Sequence, residues 1–209
     1  MTISIEDSIN KENKEKTFDR RKSTFKINPL ILNRWSPRSM TGEELNEETI
    51  MSLFEAARWA PSSYNNQPWR FIYAKRNTKY WDKLFDLLAE PNKLWANNAA
   101  LLIVVTSHKN FEHNGKFSIT HQYDTGAAWE NLALEASSRG LVAHGMQGFD
   151  YVKARADLNI PDDFDVMAMV AIGKQGPIES LHPNLQQKEN PNDRKPLQEI
   201  IMEGNFKRK

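Results

Sequence analysis

Cysteine is missing from this sequence altogether. That absence excludes disulfide scaffolds, thiolate metal sites and cysteine nucleophiles together, and it fits a reducing cytoplasm. A surplus of one charge is missing too. The 28 Lys and Arg stand against 27 Asp and Glu, so global charge makes no case for a nucleic-acid partner. No apolar run approaches the roughly 20 residues of a membrane helix. The longest, residues 99–105, is strand-sized. The polar N-terminus lacks the apolar stretch of a signal peptide. The glycines form neither a dinucleotide fingerprint nor a phosphate-binding P-loop. The five histidines show no metal-ligand spacing, and nothing resembles a nucleophile elbow. The expectation is a soluble, cytoplasmic protein with no metal, no nucleic-acid partner and no membrane partner.

What is present suits one domain, on a prior of roughly 150 residues per domain. A chain of 209 residues buries roughly 70% of its unfolded surface without needing disulfides. Residues 1–27 are polar and charge-dense without amphipathic periodicity, which predicts a flexible arm. Acidic residues interleave with the basic ones there, which argues against a nucleic-acid arm. The folded body then spans 28–209, with an extended, Pro- and Asn-rich tail from about 174.

Within that body, Ile50, Leu53, Phe54 and Ala57 recur at helical spacing, with Asn46 placed to cap and Pro61 beyond the end. Strands are predicted over 69–74, 99–106, 141–144 and 166–172, and further helices over 78–88, 123–139 and 151–158. Gly140 is placed to end the longest helix. Trp59, Trp81 and Trp129 fall on helical core faces. The order predicts an α+β fold of mixed layers, with helices covering a central sheet.

Two segments carry the chemistry. Arg34-Trp35-Ser36-Pro37-Arg38 spaces two guanidinium groups and a hydroxyl closely, on a stretch that Pro37 keeps from being plain helix. Such a cluster suits a phosphate: Arg grips it bidentately and Ser donates one more hydrogen bond. At about 4 Å and an effective dielectric near 20, each charge pair is worth roughly 4 kcal/mol before desolvation. The second segment, Ala60-Pro61-Ser62-Ser63-Tyr64-Asn65-Asn66-Gln67-Pro68-Trp69, is a turn dense in hydroxyl and amide groups.

Together these segments resemble the signature of the FMN-dependent nitroreductase family. Gly145-Met146-Gln147-Gly148-Phe149-Asp150, Ala171-Ile172-Gly173-Lys174 and the tail run Pro191-Asn192-Asp193-Arg194-Lys195-Pro196-Leu197 extend the resemblance over about residues 28–204. It implies a nitroreductase-like fold with a mostly antiparallel central sheet, and FMN as cofactor. It assigns Arg34, Trp35 and Ser36 to the flavin phosphate end, and Arg38 to the pyrimidine edge of the ring. Pro61, Ser62, Ser63 and Asn65 come from the partner subunit onto the flavin. The backbone of Gln147 and Gly148 faces flavin N5, where many relatives carry an acidic residue in place of Gln147. Arg194 is the implied third phosphate ligand, with Lys195 as a further candidate.

The implied activity is an oxidoreductase taking hydride from NADH or NADPH onto the flavin. It then reduces nitroaromatic, quinone or enone-type acceptors by a ping-pong mechanism, as a homodimer with FMN sites at the interface. No side chain is needed as catalytic acid or base, because the flavin carries the chemistry. Two alternatives share the resemblance. One is a specialised member of the fold: a dehalogenase, heterocycle oxidase or flavin-fragmenting enzyme. The other is a non-catalytic flavin-binding or storage protein.

Overall fold

The structure, a computed structural model, describes residues 20–207. Along the chain run α1 (Pro29–Asn33), α2 (Glu47–Arg58), β1 (Trp69–Lys75), α3 (Trp81–Phe85), α4 (Glu90–Ala96), β2 (Leu101–His108), α5 (His121–Ser138), β3 (Leu141–Met146), α6 (Tyr151–Asp157) and β4 (Phe164–Lys174). The short helices α7 (Pro183–Gln186) and α8 (Leu197–Ile200) follow in the tail.

β2 organises the molecule because seven of its eight residues are buried and the first five of these are apolar. Successive side chains of a strand point to opposite faces. Leu101, Ile103 and Val105 therefore join one core cluster, while Leu102 and Val104 join the other. Each such fully buried side chain contributes about 1.5–3 kcal/mol. The sheet order is β1-β2-β4-β3, with every neighbouring pair antiparallel. The expected α+β architecture, a central antiparallel sheet flanked by helices, is what the chain adopts.

One face of the sheet is covered by α2 and α5. In α2, Ile50, Leu53 and Ala57 are buried, and Asn46 caps the helix by accepting from Thr49 N at 2.8 Å. In α5 the buried apolar set is Ala128, Leu132, Ala133 and Ala136, and Gly140 turns the chain into β3 at φ 72°. The other face carries Leu84, Leu87, Leu88 and Trp95 from the stretch around α3 and α4.

Two expectations need correction. Trp59 is 71% exposed rather than in the core. It stands one turn after Glu55 on the outer face, donates to that carboxylate at 2.8 Å, and lies under the Arg58 guanidinium. The helix expected over 78–88 is only α3, one turn long. Beyond it the chain abandons helical bonding to pair with residues 148–150. Leu87 O accepts from Asp150 N at 2.9 Å, Leu88 bridges Phe149, and Ala89 N donates to Gly148 O at 3.0 Å. Tertiary pairing overrides local helix preference here.

Of the arm expected over 1–27, residues 1–19 lie outside the described residues. Arg21 is packed onto the body and only 7% exposed.

Candidate active site

The segment 34–38 is extended because α1 ends at Asn33, where Arg34 N closes the last turn on Leu30 O at 3.1 Å. Three contacts then shape it. His144 Nδ1 lies 2.9 Å from Pro37 O, so that nitrogen carries the proton. Burial pushes this imidazole below its ordinary 6.5; the Pro37 carbonyl opposes that shift and the Arg38 charge adds to it. Arg34 Nε pairs with Glu130 of α5 at 3.4 Å, and Arg34 Nη1 donates to Ser36 Oγ at 3.4 Å.

The third contact is Glu189, from the tail. Its Oε1 accepts from Arg38 N, from Ser39 N at 2.9 Å and from Ser39 Oγ at 3.2 Å. Its Oε2 has no hydrogen-bond partner and stands 3.5 Å from Arg38 Nη1. A buried carboxylate that receives two backbone N–H groups fixes the turn on which Arg38 is mounted.

The result is a cleft of about 660 Å³ lined by Arg34, Trp35, Ser36, Arg38, His144 and Arg194, with Arg20, Arg21 and Lys188 adding further cations. Burial, then the neighbouring charges of Arg194 and Arg34, push the Arg21 guanidinium below its ordinary value. Like charges held this closely disfavour one another, and a bound dianion relieves that repulsion. Volume, charge and donor set therefore fit a flavin phosphate. Lys195 is not part of this cleft; it lines the neighbouring groove.

Gln147 and Gly148 follow directly on β3, three and four residues after His144, so roughly 10 Å further along the strand direction. Gly148 O accepts from Ala89 N and from Asn92 Nδ2 at 2.9 Å. A Cβ at position 148 would come 2.7 Å from Asn92 Nδ2. Asn92 thus holds the backbone that is expected at the reactive edge of the flavin.

The loop 61–67 stands elsewhere. Tyr64, Asn65 and Gln67 adopt positive φ of 51°, 53° and 48°, a region costly for non-glycine residues and frequent at functional sites. The surroundings over-determine it. Ser63 N donates to Asp124 Oδ2 at 3.0 Å, and Gln67 N donates to Ser62 Oγ at 3.0 Å. The Asn66 side chain bridges Asn110 O and Glu112 N. Pro61 and Asn65 are exposed, and Tyr64 is 81% exposed.

The two motifs lie at opposite corners of the sheet. His144 on the β3 edge is in register with Ala171, Leu102 and Ala74 in turn, whereas the loop enters β1 five residues before Ala74. Three strand spacings across and five residues along put them on the order of 20 Å apart. Arg34 and Ser36 line the basic cleft, whereas Tyr64, Asn65 and Gln67 line a separate pocket.

A model of the nitroreductase family matches residues 31–174 of this sequence. The chain belongs to the nitroreductase family. A crystal structure described as an oxidoreductase containing FMN superposes with a TM-score of 0.87 at 41% identity, covering 90% of this chain and 97% of its own. A provisionally assigned nitroreductase from Desulfovibrio desulfuricans, solved in complex with FMN, gives 0.67 at 25% identity, covering 87% and 100%. Protein DrgA of a Synechocystis strain is 30% identical over 164 residues, 63% of this chain and 75% of its own. An Archaeoglobus fulgidus protein provisionally named an NADH dehydrogenase/NAD(P)H nitroreductase is 28% identical over 148 residues, 69% and 82% respectively.

The nitroreductase-family match ends before the tail and begins after the arm, and both supply residues to the basic cleft. Sequence reasoning missed Arg21, Lys188 and Glu189, which lie outside that match, and Asp124 and His144 within it. A clue existed only for His144, which sits in an apolar strand pattern where a polar ring needs a partner. Among the described residues no group of three or more metal-ligating side chains gathers, and no helix is long and apolar enough to cross a membrane.

Proposed function

We propose that this chain is an FMN-dependent oxidoreductase that uses NADH or NADPH to reduce nitroaromatic, quinone or enone-type acceptors, in alternating steps through one pocket. The observation that carries the reading is the basic cleft, in which Arg34, Ser36 and Arg194 meet around space for a phosphate. Bound FMN would supply the two-electron chemistry. Arg34 and Arg194 would grip the phosphate and Ser36 would donate to it, with Trp35 against the same end. Arg38, fixed by Glu189, would set its charge near the pyrimidine edge of the ring. About 1.4 kcal/mol of preference for negative charge there raises a two-electron potential by about 30 mV.

The backbone at Gln147 and Gly148 would border the reacting edge. Pro61, Ser62, Ser63 and Asn65 would close over the ring from a second copy of the chain and exclude water. Their distance from the cleft of their own chain supports a homodimer with two composite sites. The absence of cysteine supports a cytoplasmic setting.

The full chain, loaded with FMN and held without oxygen, is the material for the test. The expected result is that the flavin absorbance bleaches on adding NADH or NADPH and returns on adding a quinone. A chain that retains no FMN, or whose FMN stays oxidised with both donors, contradicts the proposal.

A further inference from the structure

Arg21 stands ten residues before the segment matched by the nitroreductase family, yet its side chain reaches into the basic cleft. Its three hydrogen bonds to described residues all go to backbone carbonyls. Nε donates to Asn192 O at 2.7 Å, and Nη1 donates to Leu32 O at 3.0 Å and to Arg34 O at 2.7 Å. One planar guanidinium therefore ties the arm, the end of α1 and the tail together, immediately beside two of the proposed phosphate ligands, Arg34 and Arg194. Only its rigid fork spans these carbonyls; an ammonium acts as a point donor. Among the described residues Asp193 is the carboxylate whose charge favours the Arg21 cation, and burial together with the Arg194 and Arg34 charges outweighs it. An anion brought beside this group of cations offsets their repulsion.

We propose that Arg21 is a positioning residue for the flavin phosphate: it fixes the backbone at Arg34 and Asn192, so that the Arg34 and Arg194 guanidinium groups converge on one dianion. The inference rests on the FMN reading above and deepens it. It makes the arm, which precedes the family-matched body, part of the cofactor site. Arg21 need not touch the phosphate to do this. Its loss lets the tail and the 34–38 segment move independently, so the cleft loses its grip on the phosphate while the ring end of the site is untouched.

The test compares FMN with riboflavin, which has the same ring and no phosphate. Wild type, Arg21→Ala and Arg21→Lys, stripped of flavin, are titrated with each ligand by flavin fluorescence quenching, and their thermal unfolding is followed in parallel. Arg21→Ala is expected to weaken FMN at least tenfold and riboflavin less than threefold. Arg21→Lys, which keeps the charge and loses the fork, is expected between wild type and Arg21→Ala for FMN.

A preference for FMN over riboflavin that stays within threefold of wild type in both variants overturns the proposal. So does an equal loss of both flavins, which would mean general packing. If Arg21→Ala does not fold, Arg21→Lys decides alone, by whether its FMN preference falls more than threefold. A wild-type chain that itself shows no preference for FMN would instead sink the phosphate reading, independently of Arg21.

Discussion

Glu189 illustrates what single residues do in this protein. It lies in the run Gln186-Gln187-Lys188-Glu189-Asn190, which reads as a solvated tail, yet it is 2% exposed. Its burial follows from contacts with residues 38 and 39, about 150 positions away in the chain, and no local pattern encodes such a pairing. The Arg34–Arg38 motif was legible for the opposite reason: five contiguous residues carry the charges, the hydroxyl and the proline. A carboxylate receiving two backbone N–H groups and an Arg contact is expensive to remove. Glu189→Ala is expected to lose about 2–4 kcal/mol in urea unfolding. Glu189→Gln, which keeps one acceptor oxygen, is expected to lose less than half of that. A loss below about 0.5 kcal/mol for the alanine variant would show that the tail is not what shapes residues 34–39.

Between elements, the decisive contacts are those that cut a helix short or hold a strained loop. Apolar periodicity located β1, β2, β3 and β4 to within a few residues, because alternating or continuous burial leaves a signal along the chain. The same signal overran at 78–88, since pairing with residues 148–150 is invisible from inside the helical window. That pairing matters for the site: it brings Ala89 and Asn92 onto Gly148 O. A methyl group at position 148 would displace the Asn92 amide. Gly148→Ala is therefore expected to cost about 1–3 kcal/mol of stability and to weaken flavin binding. Adding Asn92→Ala removes the obstructing amide and should recover part of the loss. A double-mutant cycle of denaturant midpoints and flavin affinities checks the coupling; strictly additive losses would mean that the two residues act separately. Asp124 has the corresponding role under the 61–67 loop, through its bond from Ser63 N.

At the scale of the whole molecule, the separation of the two motifs governs the account. Both were legible as polar clusters, but their placement at opposite corners of the sheet was not, because it depends on the strand order β1-β2-β4-β3. On the function proposed above, that separation would make each chain a donor of one half-site to each of two flavins. Mixed dimers test this directly. One chain carries Arg34→Ala with Arg38→Ala and an intact loop; the other carries Ser62→Ala with Asn65→Ala and an intact cleft. Each homodimer has two damaged sites. A heterodimer purified with two different tags has one site damaged twice and one wholly intact, if cleft and loop come from different chains. The measurement is FMN stoichiometry and affinity of that heterodimer. The account predicts one FMN per heterodimer bound with wild-type affinity; no wild-type-affinity site at all would contradict it, and would place both motifs on the flavin of their own chain.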